Sequence, residues 1–438
     1  MNLSKITNLF NLMNDFYIKY HILISLSIFF IFSLFFSTFG LIDENHKWLD
    51  GEEYIARSKN INFFELNFLG IRDGFRPPLF PILLHLLSFL PFNLVIFYKI
   101  LNIFFVVFIP SLIILLTKNI YQNEYNKIFN LTALLYYLFL PNYFFIDFVY
   151  AELLTIILFN LQLILIYKIY LNNDYDYKHL ATLALIFVIC FYLKANLILY
   201  GIIFFVFIKQ IFNKFKNFFL FGLLILILLL PWFVYMYMIT GSFKATNSQH
   251  VNRLQGMGLD TIGHGFNNLD TLHGKYIFNV YGQNTKVINH YTLYMRNIDE
   301  KYLAYEIYGM DLNLQLQREK FSKISVDKIF NHDPLVQIKY SFLKLPHLFG
   351  FSFRGIRDYL ISVYSIVSFF LMAYYMKKKK YRIVIYLNLL VLLSTIIQTL
   401  IYVPTIRYSI YFFNSSIILY ALMLFELKKK LINKNEID

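Results

Sequence analysis

The stretch KNFFLFGLLILILLLPWFVYMYMI, residues 216–239, fixes the solvent in which this chain folds. Residues 217–238 carry no charged side chain, and about 20 apolar residues in helical form span a bilayer core. Similar runs recur along all 438 residues. Candidate spans fall at 21–42, 94–117, 128–146, 151–170, 179–194, 195–209, 217–238, 356–376, 382–403 and 405–425. Composition agrees: 58% of residues are hydrophobic, 20% aromatic and 15% charged, with mean hydropathy +0.55. Soluble domains carry about a quarter charged residues. The expected class is an all-α polytopic membrane protein of about ten transmembrane helices, with the lipid bilayer as its first partner. The run 21–42 is too long for a signal peptide and lacks a small-residue cleavage site, so it is expected to stay as a span. Cys190 is the single cysteine and cannot form an internal disulfide.

The net charge of +14 raises nucleic acid as a partner, and its placement argues against one. Lysines gather in short loops, at Lys118 and Lys127, Lys168 and Lys178, Lys209 to Lys216, Lys377 to Lys380, and Lys428 to Lys434. By the positive-inside rule all of these are cytoplasmic, as are both termini. That holds only if the apolar piece 79–92, broken by Pro81 and Pro91, does not cross. It is expected to be a short helix in the outer interface.

Two hydrophilic segments then face outward, 43–78 and 239–355. They divide the chain into an N-terminal membrane module (1–238) with its first outer loop, an extracytoplasmic segment (239–355), and C-terminal helices with a tail (356–438). The long segment is expected to be structured and mainly helical. In NHDPLVQIKYSFLKL, Asp333 suits an N-cap and Pro334 a first turn. Leu335, Ile338, Phe342 and Leu345 share one face, either against the outer membrane surface or in a small soluble domain.

Between two apolar runs lies WLDGEEYI, residues 48–55, then FRPPLFPILL, residues 75–84. Asp50 and Glu53 have the spacing of a capping box, which is the structural reading. Other isolated charges lie at the same expected depth: Glu152 in FVYAELL, Lys194 in FYLKANL and Arg407 in PTIRYSI. Each alone is explained by snorkelling. Together they describe an outward-facing hollow with acids on one side and cations on the other, since ionisable groups at membrane depth face cavities or one another. A carboxylate there takes a proton from a hydroxyl, and cations meet the charge that grows on a departing phosphate. This chemistry suits glycosyl transfer from a polyprenyl-phosphate sugar.

The order Asp50–Tyr54, Arg76-Pro77-Pro78-Leu79-Phe80-Pro81, Leu140-Pro141 before Glu152, Lys194, Leu230-Pro231-Trp232 ending a span before an outer segment with Gly241, and Arg407-Tyr408 resembles the GT-C fold membrane glycosyltransferases. The likeness is to bacterial relatives of protein O-mannosyltransferases and aminoarabinose transferases, and it covers nearly the whole chain. It implies an inverting hexosyl- or pentosyltransferase in the bacterial inner (plasma) membrane, with its active site outside. It implies Asp50 as catalytic base or acceptor-orienting carboxylate, Glu152 as a supporting carboxylate, and Arg76, Lys194 and Arg407 around the donor phosphate. Where many relatives have adjacent Asp-Glu, Gly51 separates Asp50 from Glu52, so Glu52 or Glu53 is expected to share the catalytic role of Asp50. No cofactor is implied, and metal dependence is left open. The acceptor is a lipid, glycan or protein.

A transporter or flippase of a lipid-linked sugar is the competing class. Against it, no paired halves with matching broken helices are visible, and the charges gather at the outer face instead of the midplane. Lys99, near the outer end of its span, has two readings, a place in the lining of the hollow or snorkelling, and snorkelling is the expected one. His264, Asp270 and His273 match no zinc spacing and read as a polar loop. Asp147 is a second candidate for the outer acidic position. There is no Walker A or GxGxxG sequence, as befits a donor activated elsewhere.

Overall fold

A computed structural model describes residues 20, 23, 27, 49–64, 67, 74, 76–120, 146, 148–172, 177–197, 199–200, 215–247, 250, 317, 319–320, 323–324, 326–327, 331, 349, 356–378, 382–401, 411–420, 422–423 and 426. Among them the chain is helical, and no strand forms beyond one isolated bridge between Asn62 and Asn67. The helices are α1 (Leu49–Lys59), α2 (Leu79–Leu87), α3 (Leu94–Ile120), α4 (Glu152–Asn172), α5 (Tyr177–Leu193), α6 (Phe215–Thr240), α7 (Ile356–Met376) and α8 (Arg382–Ile401), with a helical stretch at 411–420. Six apolar runs expected to be helical, at 94–117, 151–170, 179–194, 217–238, 356–376 and 382–403, are the helices α3 to α8. Those at 21–42 and 128–146 lie almost wholly outside the described residues, as does the amphipathic helix at 334–345.

By length and composition one described helix segment, Phe219–Thr240, is long and apolar enough to cross a membrane; its mean hydropathy is 2.5. Shorter apolar helical stretches occur at Leu94–Val106, Glu152–Ile166, Tyr177–Leu193, Ile361–Met376 and Val384–Gln398. The outer faces are greasy. On α6 Leu223, Leu226, Ile227, Leu230 and Val234 are exposed, and on α7 Val363, Ile366 and Phe370. Polar side chains are inside instead: Asn102, Asn160, Gln162, Ser365, Ser368, Asn388 and Gln398 are all buried. They form hydrogen bonds locally or across helices, as where Ser415 donates to Asn388 at 3.0 Å and Gln398 to the Asn196 carbonyl at 3.1 Å.

Proline placement explains α2. Pro77 and Pro78 cannot continue a preceding helix, and Pro81 falls in the first turn, where no intrahelical donor is needed. The resulting helix has nine residues, about 14 Å long at the helical rise and too short for a bilayer core. It ends in a turn whose Phe89 and Phe92 are 69% and 64% exposed. Pro231 behaves differently from the expectation that Pro-Trp ends a span. It lies inside α6, which continues to Thr240. The helix stops at Gly241, whose φ of +69° suits the residue after a helix end. Beside Pro231 the Tyr192 hydroxyl donates to the Leu228 carbonyl at 3.0 Å, one position past the Ile227 carbonyl that the proline leaves without its helical donor.

Two apolar cores position the charged residues. The larger joins α3 to α8 with residues 411–422. The smaller gathers Tyr54 and Ile55 of α1, Phe80 and Leu84 of α2, Val95 and Tyr98 of α3, Val149 and Ala151, and Leu193 at the end of α5.

Candidate functional site

The acidic loop folds as α1, which begins at Leu49. Asp50 therefore stands within its first turn and is not the N-cap of a capping box. The Asp50 side chain and all of Arg407, Asp147, His264, Asp270 and His273 lie outside the described residues. Gly51 brings the start of α1 against the segment leading to Glu152: a Cβ at Gly51 would lie 3.5 Å from the Val149 carbonyl oxygen.

Glu53 lies one turn along, 25% exposed, and holds two arginines. Its Oε1 accepts from Nε and Nη2 of Arg57 at 3.0 and 2.8 Å. Its Oε2 accepts from Arg76 Nε at 3.1 Å, with Arg76 Nη2 at 3.0 Å. Glu53 holds Arg76 in place, and among the described residues this one carboxylate meets both guanidinium groups. Arg57 is the member that sequence reasoning missed, although it follows Glu53 by four residues, the spacing of a helical ion pair. It is 4% exposed, so it is a structural member of the cluster.

Arg76 also lies over the Tyr54 ring, 5.2 Å from its centroid. From there an aromatic path crosses the small core. Tyr54 meets Phe80 edge-on at 4.7 Å, Phe80 meets Tyr98 at 5.5 Å, and the Tyr98 hydroxyl donates to the Tyr150 carbonyl at 2.7 Å. Tyr98 lies within electrostatic reach of Glu152.

Glu152 opens α4, where the helix dipole favours an acid, and Lys194 follows the last residue of α5, where it favours a cation. The antiparallel ends meet in an ion pair of 2.9 Å, with Glu152 1% and Lys194 11% exposed. The chain then turns sharply: Lys194 N–H donates to the Cys190 carbonyl and Leu197 N–H to the Lys194 carbonyl, at 2.9 and 3.0 Å. The structure thus brings Glu53 to Arg76 and Glu152 to Lys194, with the aromatic path between the two pairs.

Gly74, two residues before Arg76, is clamped by α6 and by residues 241–247 at its C-terminal end. Gly74 has φ +67°, and a Cβ there would stand 2.6 Å from Met236 Sδ and 2.8 Å from Ile239 Cδ1. Its carbonyl accepts from Asn247 N–H at 2.7 Å. Trp232 Nε1 donates to the Ala245 carbonyl at 2.7 Å, folding this chain back onto α6. Lys244 in turn reaches Asn247 Oδ1 at 2.8 Å. Partial burial pushes the Lys244 ammonium down, Glu319 opposes this, and Lys323 adds to it. Gly74→Ala combines a left-handed φ with a clash against packed side chains, and is expected to lower stability by about 1–3 kcal/mol. Thermal unfolding in detergent checks this, and an unchanged midpoint would mean the clamp is loose.

Lys99 does not snorkel: it is 1% exposed, on α3 between Tyr98 and Asn102. Asn102 Nδ2 donates to the Ile146 and Phe148 carbonyls at 3.1 and 2.8 Å, so this part of α3 packs on the segment before Glu152. Among the described residues no group of three or more His, Cys, Asp or Glu is placed to hold a metal ion. No protein-family model, characterised protein or solved structure matches this chain.

Proposed function

We propose that this chain is an integral membrane glycosyltransferase of the GT-C type. It moves a hexosyl or pentosyl group from a polyprenyl-phosphate donor to an acceptor hydroxyl on the outer side of a bacterial plasma membrane. The observation that carries this reading is the arrangement of Arg76 and Lys194, two cations each held by a carboxylate and joined through one aromatic core.

About ten spans follow from the apolar runs, and the distribution of side chains supports a lipid solvent. Exposed helix faces are apolar while buried faces carry amides and hydroxyls. The exposed tip of α2, with Phe89 and Phe92, suits the outer interface. In this reading Asp50 is the base, at the start of α1 and next to the segment entering Glu152. Glu53 and Glu152 keep Arg76 and Lys194 in place, and these bind the donor phosphate. Departure of the sugar turns a phosphodiester into a monoester, so negative charge grows between the two cations. They bind that transition state more strongly than the ground state. Arg407 is the third cation of the set.

The test is made on whole cells and on purified protein. Deletion of the gene removes one sugar from an envelope glycan, read by mass spectrometry, and the wild-type chain restores it. Restoration by Asp50→Asn at the wild-type level would sink the catalytic assignment and favour a flippase. Arg76→Ala is expected to weaken binding of undecaprenyl monophosphate, used as the probe for a polyprenyl monophosphate product, by about ten- to a hundredfold.

A further inference from the structure

We propose that Tyr411, contributed by the C-terminal helical stretch, is a positioning residue for the Glu152–Lys194 pair and acts through Thr155. The inference rests on the donor-phosphate reading. Thr155 Oγ1 donates to the Glu152 carbonyl at 2.8 Å, and its N–H donates to the Ala151 carbonyl at 2.9 Å. The same Oγ1 lies 2.7 Å from the Tyr411 hydroxyl. A threonine hydroxyl has one proton, and here the Glu152 carbonyl takes it, so Tyr411 is the donor to Thr155.

The Tyr411 side chain is fully buried, and its ring packs on Phe159 and Tyr200 with centroids 5.5 and 5.1 Å away. Its hydroxyl therefore has a fixed position and lies within electrostatic reach of Glu152. The bond closes the first turn of α4, on which the Glu152 carboxylate stands. If that turn loosens, Lys194 loses its fixed partner and the phosphate its preorganised cation. Tyr200 supplies an internal comparison. It makes a like bond to Thr395 Oγ1 at 3.0 Å, well removed in sequence from the first turn of α4.

The full-length chain in nanodiscs is titrated with undecaprenyl monophosphate. Tyr411→Phe is expected to weaken binding about tenfold, and Tyr200→Phe to change it less than about twofold. Equal effects of the two would overturn the proposal, because the hydroxyl would then serve packing alone. Thr155→Ser should keep wild-type affinity and Thr155→Val should lose as much as Tyr411→Phe. The double variant Tyr411→Phe/Thr155→Val should lose no more than either single change, and additive losses overturn the route through Thr155. If Tyr411→Phe does not fold, the contrast between Thr155→Ser and Thr155→Val decides. Arg76→Ala in the same titration separates the two readings: undiminished binding there removes the phosphate role, and this inference with it. Loss with Arg76→Ala but not with Tyr411→Phe removes this inference alone.

Discussion

Lys194→Met is expected to destabilise the protein by about 3–5 kcal/mol, the cost of breaking a buried ion pair from one side. Glu152 is 1% exposed at the foot of α4, and the substitution takes away the ammonium 2.9 Å from it. Burial in low dielectric is costly for a carboxylate whose cation is gone. Replacing both partners, as Lys194→Met with Glu152→Leu, is expected to recover most of that loss, since neither charge is then buried. Undecaprenyl monophosphate binding should not return with it. Denaturant unfolding in detergent reads the first quantity and a lipid titration the second. A single-variant cost below about 1 kcal/mol would place the pair among solvent-screened ones. Recovery of lipid binding in the double variant would remove Lys194 from the donor site.

Asp50→Asn is expected to reduce sugar transfer by about 10²–10⁴-fold, the range for removing a general base. Asparagine keeps the shape, and it is accepted at a helix start, so α1 and its contact with Val149 should persist. Lipid-product affinity should stay within about twofold of wild type, in contrast to Arg76→Ala, which removes a proposed phosphate ligand. Transfer measured alongside membrane insertion checks this. A drop of less than about tenfold would move the base to another carboxylate, with Glu52 the nearest exposed candidate.

The helices are legible in the sequence because the apolar runs are long and several of their ends are marked. Pro77-Pro78 opens α2, and its short length follows from the prolines on either side. Gly241 closes α6 with the left-handed backbone that glycine adopts at no steric cost. Part of the site is legible for a related reason. An ionisable side chain among apolar neighbours is conspicuous, and this singles out Glu152 and Lys194 without any knowledge of their pairing.

The contacts hidden from the sequence are those between distant residues. Local pattern favours snorkelling for Lys99, because burying an ammonium is costly. Its burial follows from the packing of α3 on residues 146–148, more than 40 positions away, as the Asn102 bonds show. Pro231 marks a helix end by local rules because proline lacks a donor, and the Tyr192 hydroxyl that donates beside it belongs to α5. Glu53 fits a cap by its spacing from Asp50, whereas Arg76 reaches it from 23 residues on. Arg57 has a usable signal in its i, i+4 spacing. Tyr98 and Tyr411 have none, being two tyrosines among 36.

The reach of these contacts has a bearing on biosynthesis. Thr155 meets a partner 256 positions later, and the Gly74 carbonyl waits for Asn247. A ribosome must therefore deliver almost the entire polypeptide before the foot of α4 is secured. Prematurely terminated chains, even those long enough to contain Lys194, would emerge without the bond from Tyr411 that closes the first turn of α4.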